Sequence, residues 1–150
     1  MDLNNNILDI INDKWGWIGV KATRIINTND FGNIIFKNED DSIWRIIPEE
    51  LECNLIAENI DGFSVLKEQH DFIEDWKMTN LVTASKKVLG ELNEGQKYCL
   101  KLSPVLGGVY EKDNLGVISH EELIAFSGEL AFKIKDLPDG ANIKLDIVNE

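Results

Sequence analysis

The chain has 150 residues and a mass of 17.0 kDa, one domain's length, and its 43% hydrophobic and 28% charged residues are those of a folded protein rather than a disordered one. Its 27 Asp and Glu against 15 Lys and Arg leave a net charge of −12, which phosphate backbones repel, so direct nucleic-acid binding is not expected. No apolar run reaches the ~18 residues of a membrane span, and Met1-Asp2-Leu3-Asn4 has neither the basic nor the apolar region of a secretory signal, so a soluble, cytoplasmic protein without membrane contact is expected.

Leu3, Ile7, Ile11 and Trp15 recur at i, i+4, predicting a first helix with Asp2 able to cap it and Gly16 to end it. A strand is expected from Ile18 to Ile26, then turn chemistry at Asn27 to Asp30. A second strand follows at Asn33 to Lys37, a polar turn at Asn38 to Asp41, and a third strand at Ser42 to Ile47, ended by Pro48. Such strands joined by polar turns predict an antiparallel meander. Alternation places Trp44 and Ile46 on one face of the third strand and Ile43 with Arg45 on the other, with Trp44 buried.

Leu55 to Ile60 fits a strand or a short helix. Asp61-Gly62 reads as a turn. Helix is expected from Phe63 to Leu89, broken near His70-Asp71, with Ile73, Leu81, Ala84 and Val88 near one face and Phe72 and Trp76 one turn apart. Gly90 suits the helix end, and Lys86-Lys87 suit its dipole. A strand is expected at Lys97 to Leu102. Ser119 and Glu122 have the spacing of a capping box, opening a helix whose stripe is Leu123, Phe126, Leu130, Ile134 and Leu137. Pro138-Asp139-Gly140 stops it, and Ile143, Leu145 and Ile147 alternate as a terminal strand. The whole is a single domain, residues 1–150, of α+β class: a mostly antiparallel sheet with an N-terminal meander, packed by several helices.

Chemical signatures are scarce. His120-Glu121-Glu122-Leu123-Ile124 is not HExxH, and both histidines read as surface residues. Asn27 to Asn38 lacks the ligands of a calcium loop at its fifth and twelfth positions. Gly107-Gly108 belongs to no phosphate loop and reads as a tight bend. Cys53 and Cys99, 46 positions apart, read as buried thiols rather than a redox pair. Adjacent carboxylates abound simply because the chain is acidic. No catalytic, metal-binding or cofactor-binding residue is assigned, and a binding module is favoured over an enzyme.

Three segments resemble a known family. They are Asp30-Phe31-Gly32-Asn33 leading to Trp44-Arg45-Ile46; Gly95-Gln96-Lys97-Tyr98-Cys99-Leu100 with Pro104 and Leu106-Gly107-Gly108; and Asn114-Leu115-Gly116 before the Ser119 helix. In this order they resemble the immunity proteins of type VI secretion DNase effectors, over roughly Asp30 to Leu137. The resemblance implies no enzyme and no cofactor. It implies a cytoplasmic protein that neutralises a cognate toxin by binding it. It also implies fold-determining roles for Gly32, Trp44, Pro104, Gly107, Gly108 and Asn114.

The acidic charge is concentrated. From Glu39 to Asp75 there are twelve acidic residues against Arg45 and Lys67. This stretch is either a solvated face or a docking surface for a basic partner, whose encounter it would steer. Candidate contacts are Glu39, Asp40 and Asp41 at a hairpin tip and Glu49, Glu50 and Glu52 beyond Pro48. The last three are expected to be exposed and replaceable by Lys without loss of folding. If they are not the contact surface, Gly107 to Asn114 is the next candidate. The leading function is an immunity protein acting on a basic nuclease toxin. The alternatives are a non-toxin binding module and an enzyme using scattered carboxylates.

Overall fold

Four consecutive strands build the main sheet in the order β1-β2-β3-β4, every neighbour antiparallel. They are β1 (Ala22–Thr28), β2 (Ile34–Asn38), β3 (Ile43–Ile47) and β4 (Glu52–Ala57). The computed structural model describes residues 3–137. Asp2 and the proposed terminal strand at Ile143 to Ile147 lie outside these described residues.

Alternation along β2 and β3 feeds two layers. Ile34, Phe36 and Ile46 point to one face, where they join Ile7, Ile11, Trp15 and Ile124. Ile35 and Ile43 point to the other, against Phe63, Phe72 and Trp76. The register pairs Phe36 with Trp44 and Ile35 with Arg45, so β3 presents its side chains as the sequence predicts. Trp44, however, is half-buried rather than buried, because it lies at the margin of the first layer with its indole nitrogen donating to Ser42 Oγ at 2.8 Å. Trp44→Ala is therefore expected to cost about 2 kcal/mol, below the ~3–5 kcal/mol of an enclosed aromatic. A denaturant midpoint shifted by as much as that of an enclosed tryptophan would contradict this placement.

The first helix, α1 (Leu3–Lys14), delivers Trp15 into the core, where its Nε1 donates to Ile124 O at 3.2 Å. A short 3-10 turn, Gly16–Ile18, follows and closes on Gly19 at φ 106°. This turn delays β1 to Ala22, four residues after the expected start. Asp61-Gly62 is not a turn but the first turn of α2 (Ile60–Leu66), since Asn59 Oδ1 accepts from Gly62 N–H at 2.8 Å and caps it. The expected helix breaks before His70 as predicted and a second time at Met78, φ 49°, giving α2, α3 (His70–Lys77) and α4 (Thr79–Leu89). Phe72 and Trp76 stack as their spacing implies, centroids 6.5 Å apart. On α4 the inward residues are Leu81, Val82 and Ser85, while Ala84 and Val88 are exposed.

A second sheet pairs β5 (Gln96–Leu100) with β6 (Leu115–Ser119). β6 was not expected, since its five residues carry Gly116 and Ser119 and show no strict alternation. Ser119 Oγ accepts from Glu122 N–H at 3.1 Å, so α5 (His120–Ile134) starts at the predicted cap. Its buried face is not the predicted stripe: Leu123 and Leu130 are inside, but Phe126 is 57% exposed and Ile124, Ser127, Gly128 and Ala131 are buried instead. At Gly128 the helix meets α1 so closely that a Cβ would lie 2.7 Å from Lys14 O. Five helices and two antiparallel sheets thus make the described residues α+β.

Candidate protein-docking site

Glu39, Asp40 and Asp41 form the tip of the β2–β3 hairpin, as expected. Asp40 is committed to that turn: its Oδ1 accepts from Asn38 Nδ2 at 2.9 Å, Ser42 N–H at 3.0 Å and the Ser42 hydroxyl. These bonds hold its carboxyl below the usual range. Asp41 pairs with Lys37 at 3.0 Å. Glu49, Glu50 and Glu52 lie at the other end of β3, so the structure keeps the two clusters apart.

The expectation for Glu49 is corrected. It is 7% exposed, in the 3-10 turn Pro48–Glu50, and both its carboxylate oxygens accept from Asn33 Nδ2, at 2.8 and 3.2 Å. Asn33 Oδ1 in turn accepts from Arg45 Nε and Nη2 at 3.1 and 2.9 Å. Arg45 also pairs with Asp75 at 2.5 Å and lies 5.1 Å over the Trp76 ring. Burial pushes the Glu49 carboxyl up to about 7, against the opposing pull of its hydrogen bonds and of Arg45. Glu49 is therefore a core residue held in a chain of polar contacts, not a docking charge. Nothing in the sequence around Pro48-Glu49-Glu50 distinguished it from its neighbours.

Glu52 is exposed and Glu50 half-buried, and Glu50 accepts a hydrogen bond from the Tyr110 hydroxyl. That bond joins the acidic cluster to the segment between β5 and β6. Ser103 anchors the same junction, its hydroxyl donating to Glu49 O at 2.7 Å. Pro104 opens a 3-10 turn, Pro104–Leu106, capped by Ser103 and closed by Gly107 at φ 96°. A Cβ on Gly108 would sit 1.8 Å from Leu102 O, so this close approach requires glycine. Asn114 ties the segment's base: its amide accepts from Leu102 N–H at 2.9 Å and donates to Leu102 O and Val109 O, each at 2.8 Å. The motif residues Pro104, Gly107, Gly108 and Asn114 thus shape one hydrogen-bonded loop. On it Val105, Val109 and Tyr110 are 52%, 50% and 49% exposed. Val109 and Tyr110 fall in the Gly107 to Asn114 stretch that the sequence offered as its second candidate surface, while Val105 lies outside it. The two surfaces offered as alternatives meet at Glu50 and Tyr110.

Gly32 has a separate task. At φ 74° it passes under α5, where a Cβ would lie 2.4 Å from Leu123 Cδ2. Its carbonyl meets His120 Nε2 at 3.1 Å. His120 is consequently buried, not a surface residue, and burial pushes its imidazole down to about 4. Next to Gly32, Asp30 O accepts from Tyr98 N–H at 2.8 Å and Asn29 Nδ2 donates to Trp76 O at 3.0 Å. The Asn29–Asn33 turn is thus where the main sheet meets α3, α5 and the second sheet.

Burial raises the thiols of Cys53 and Cys99 to about 12 and about 11, which makes them poor nucleophiles. Among the described residues, no three His, Cys, Asp or Glu side chains are grouped to hold a metal ion. No helix there is long and apolar enough to cross a membrane.

Residues 57–131 match the family model described as T6SS immunity protein Tdi1, C-terminal. The chain belongs to this family. The matched part runs from the end of β4 into α5, so it contains the Gly95 to Gly116 motifs but not the Asp30–Asn33 turn or Trp44. That is narrower than the Asp30 to Leu137 resemblance read from the sequence. The crystal structure of Atu4351 from Agrobacterium tumefaciens has a similar fold, with a TM-score of 0.59 and 22% identity over 84% of this chain. This immunity-family chain spans 64% of that protein's length. No curated protein matches it.

Proposed function

We propose that this immunity-family chain acts in the cytoplasm by binding a cognate toxin, and that the toxin is a nuclease whose cationic substrate face it covers. Family membership supports an immunity role, and the observation that carries the finer reading is charge. The chain bears −12 overall, with twelve acidic residues against two basic ones between Glu39 and Asp75. A nuclease must present positive potential to its phosphate substrate. An acidic inhibitor competes for that potential and is steered to it.

The test needs a candidate toxin domain, sought first among the genes flanking this one. Purified chain added to purified toxin is expected to stop DNA cleavage at a one-to-one ratio, with association slowed as salt is raised. Cleavage that persists in molar excess of the chain overturns neutralisation. A toxin that binds and is neutralised but cuts no nucleic acid overturns the nuclease assignment alone.

A further inference from the structure

We propose that the toxin docks on the Ser103–Asn114 loop, with Tyr110 as its anchor, Val105 and Val109 beside it in the loop, and Glu50 and Glu52 supplying acidic contacts for Lys or Arg of the partner. This surface rests on the immunity reading above and gives it an address.

Tyrosine at an interface supplies a large amphipathic contact with few torsions to freeze, and such residues dominate binding energies. Tyr110 is held in advance. Its hydroxyl donates to Glu50. The loop beneath it is fixed by the Ser103 bond to Glu49 O, the Gly108 approach to Leu102 O and the three hydrogen bonds of Asn114. Binding on a surface already ordered loses little conformational entropy. The charge around it has the right sign: Glu50 and Glu52 across the Tyr110 bond, and Glu111 and Asp113 in the loop itself, against Lys112.

The other exposed features lack this combination. The hairpin tip carries three acidic residues but no apolar anchor, and Asp40 is used internally. The groove lined by Ile26, Phe63, Phe72 and Trp76 is edged by Lys67 and Lys77, which oppose a cationic partner. Trp17 and Phe132 pack edge-on against each other, with Lys135 over the Phe132 ring.

Binding kinetics to the same toxin decide the matter. The double variant Val109→Ser with Tyr110→Ala is expected to raise Kd by about 100-fold, mainly through faster dissociation, as loss of a central anchor does. Charge reversal at exposed Glu52 and Asp113 is expected to slow association and flatten its salt dependence. Glu39→Lys and Phe132→Ser, elsewhere on the surface, are expected to leave Kd within about threefold. A thermal melt of each variant separates lost binding from lost folding. Should the Tyr110 variant melt early, the Glu52 and Asp113 reversals carry the decision. Wild type failing to bind the toxin defeats the immunity reading itself. Wild type binding tightly while both the loop variant and the charge reversals bind equally well leaves neutralisation standing and overturns this surface.

Discussion

Glu49→Lys is expected to destabilise the protein by about 3–5 kcal/mol, while Glu50→Lys and Glu52→Lys each change stability by about 0.5 kcal/mol or less. The three lie within four positions and look alike in sequence. Only Glu49 is enclosed, with both oxygens on Asn33 and the Arg45 guanidinium one residue further along the chain of contacts. A lysine there would bury a second cation beside Arg45 and leave Asn33 Nδ2 facing a donor. Arg45 would keep its bonds to Asn33 Oδ1 and Asp75, but the new ammonium would be buried against a like charge in place of the acceptor that Asn33 Nδ2 needs. For a domain of this size such a loss lowers Tm by roughly 10 °C or more. Equal melting of all three variants would show that Glu49 is not enclosed.

The same residue carries a pH signature. The folded carboxyl titrates near 7, against 4.5 for the free group. Between those values the folded protein binds more protons than the unfolded chain, so Glu49 removes stability as pH rises through this window. Below 4.5 both states are protonated and its penalty vanishes; above 7 it is complete, at about 3 kcal/mol. His120 works in the opposite sense. Its folded value near 4 lies below the free 6.5, so the unfolded state takes up the extra proton and stability rises with pH across that range. The two slopes largely offset each other between 4.5 and 6.5. Glu49→Gln keeps an acceptor for Asn33 Nδ2 and removes the ionisation. Its Tm relative to wild type should therefore climb between pH 4.5 and 7 and then level off. A difference that stays constant across that range would remove Glu49 as the titrating group.

Much of the fold was legible because local chemistry and tertiary structure agree. The β2–β3 hairpin has a polar turn between two apolar runs, the Ser119 cap is met by its amide, and the faces of β3 follow strict alternation. What was not legible depends on a partner distant in the chain. Glu49 is bonded to Asn33, His120 to the Gly32 carbonyl, and Gly128 is packed against the backbone of Lys14 at the end of α1. None of these follows from a window of neighbouring residues. The candidate site divides the same way. The motif glycines and Asn114 marked where the chain must bend, but not that the bend would present Val105, Val109 and Tyr110 beside Glu50.

A substitution effect of opposite sign to helix propensity is expected at Gly128. Helix propensity alone predicts that Gly128→Ala stabilises the middle of α5 by about 1 kcal/mol. The packing predicts the reverse. A Cβ there would lie 2.7 Å from Lys14 O and 2.9 Å from Lys14 C, both backbone atoms at the end of α1. Backbone cannot swing aside as a side chain does, so α1 must move. Trp15, the next residue, is fully buried and donates its indole N–H to Ile124 O one turn before Gly128. Ala131, one turn after it, is buried against the same layer. Displacing α1 therefore loosens the packing of Trp15 and Ile11 in the first core layer, where even one methylene is felt. Gly128→Ala should destabilise by about 1–3 kcal/mol, and Gly128→Val, which adds two methyl groups to the same clash, by about 3 kcal/mol or more. The neighbouring Lys14–Glu129 pair, at the surface, adds little to this seam, and Glu129→Gln should leave Tm nearly unchanged. The sign of the alanine result is decisive: a higher Tm for Gly128→Ala would mean that α1 and α5 are not in backbone contact there.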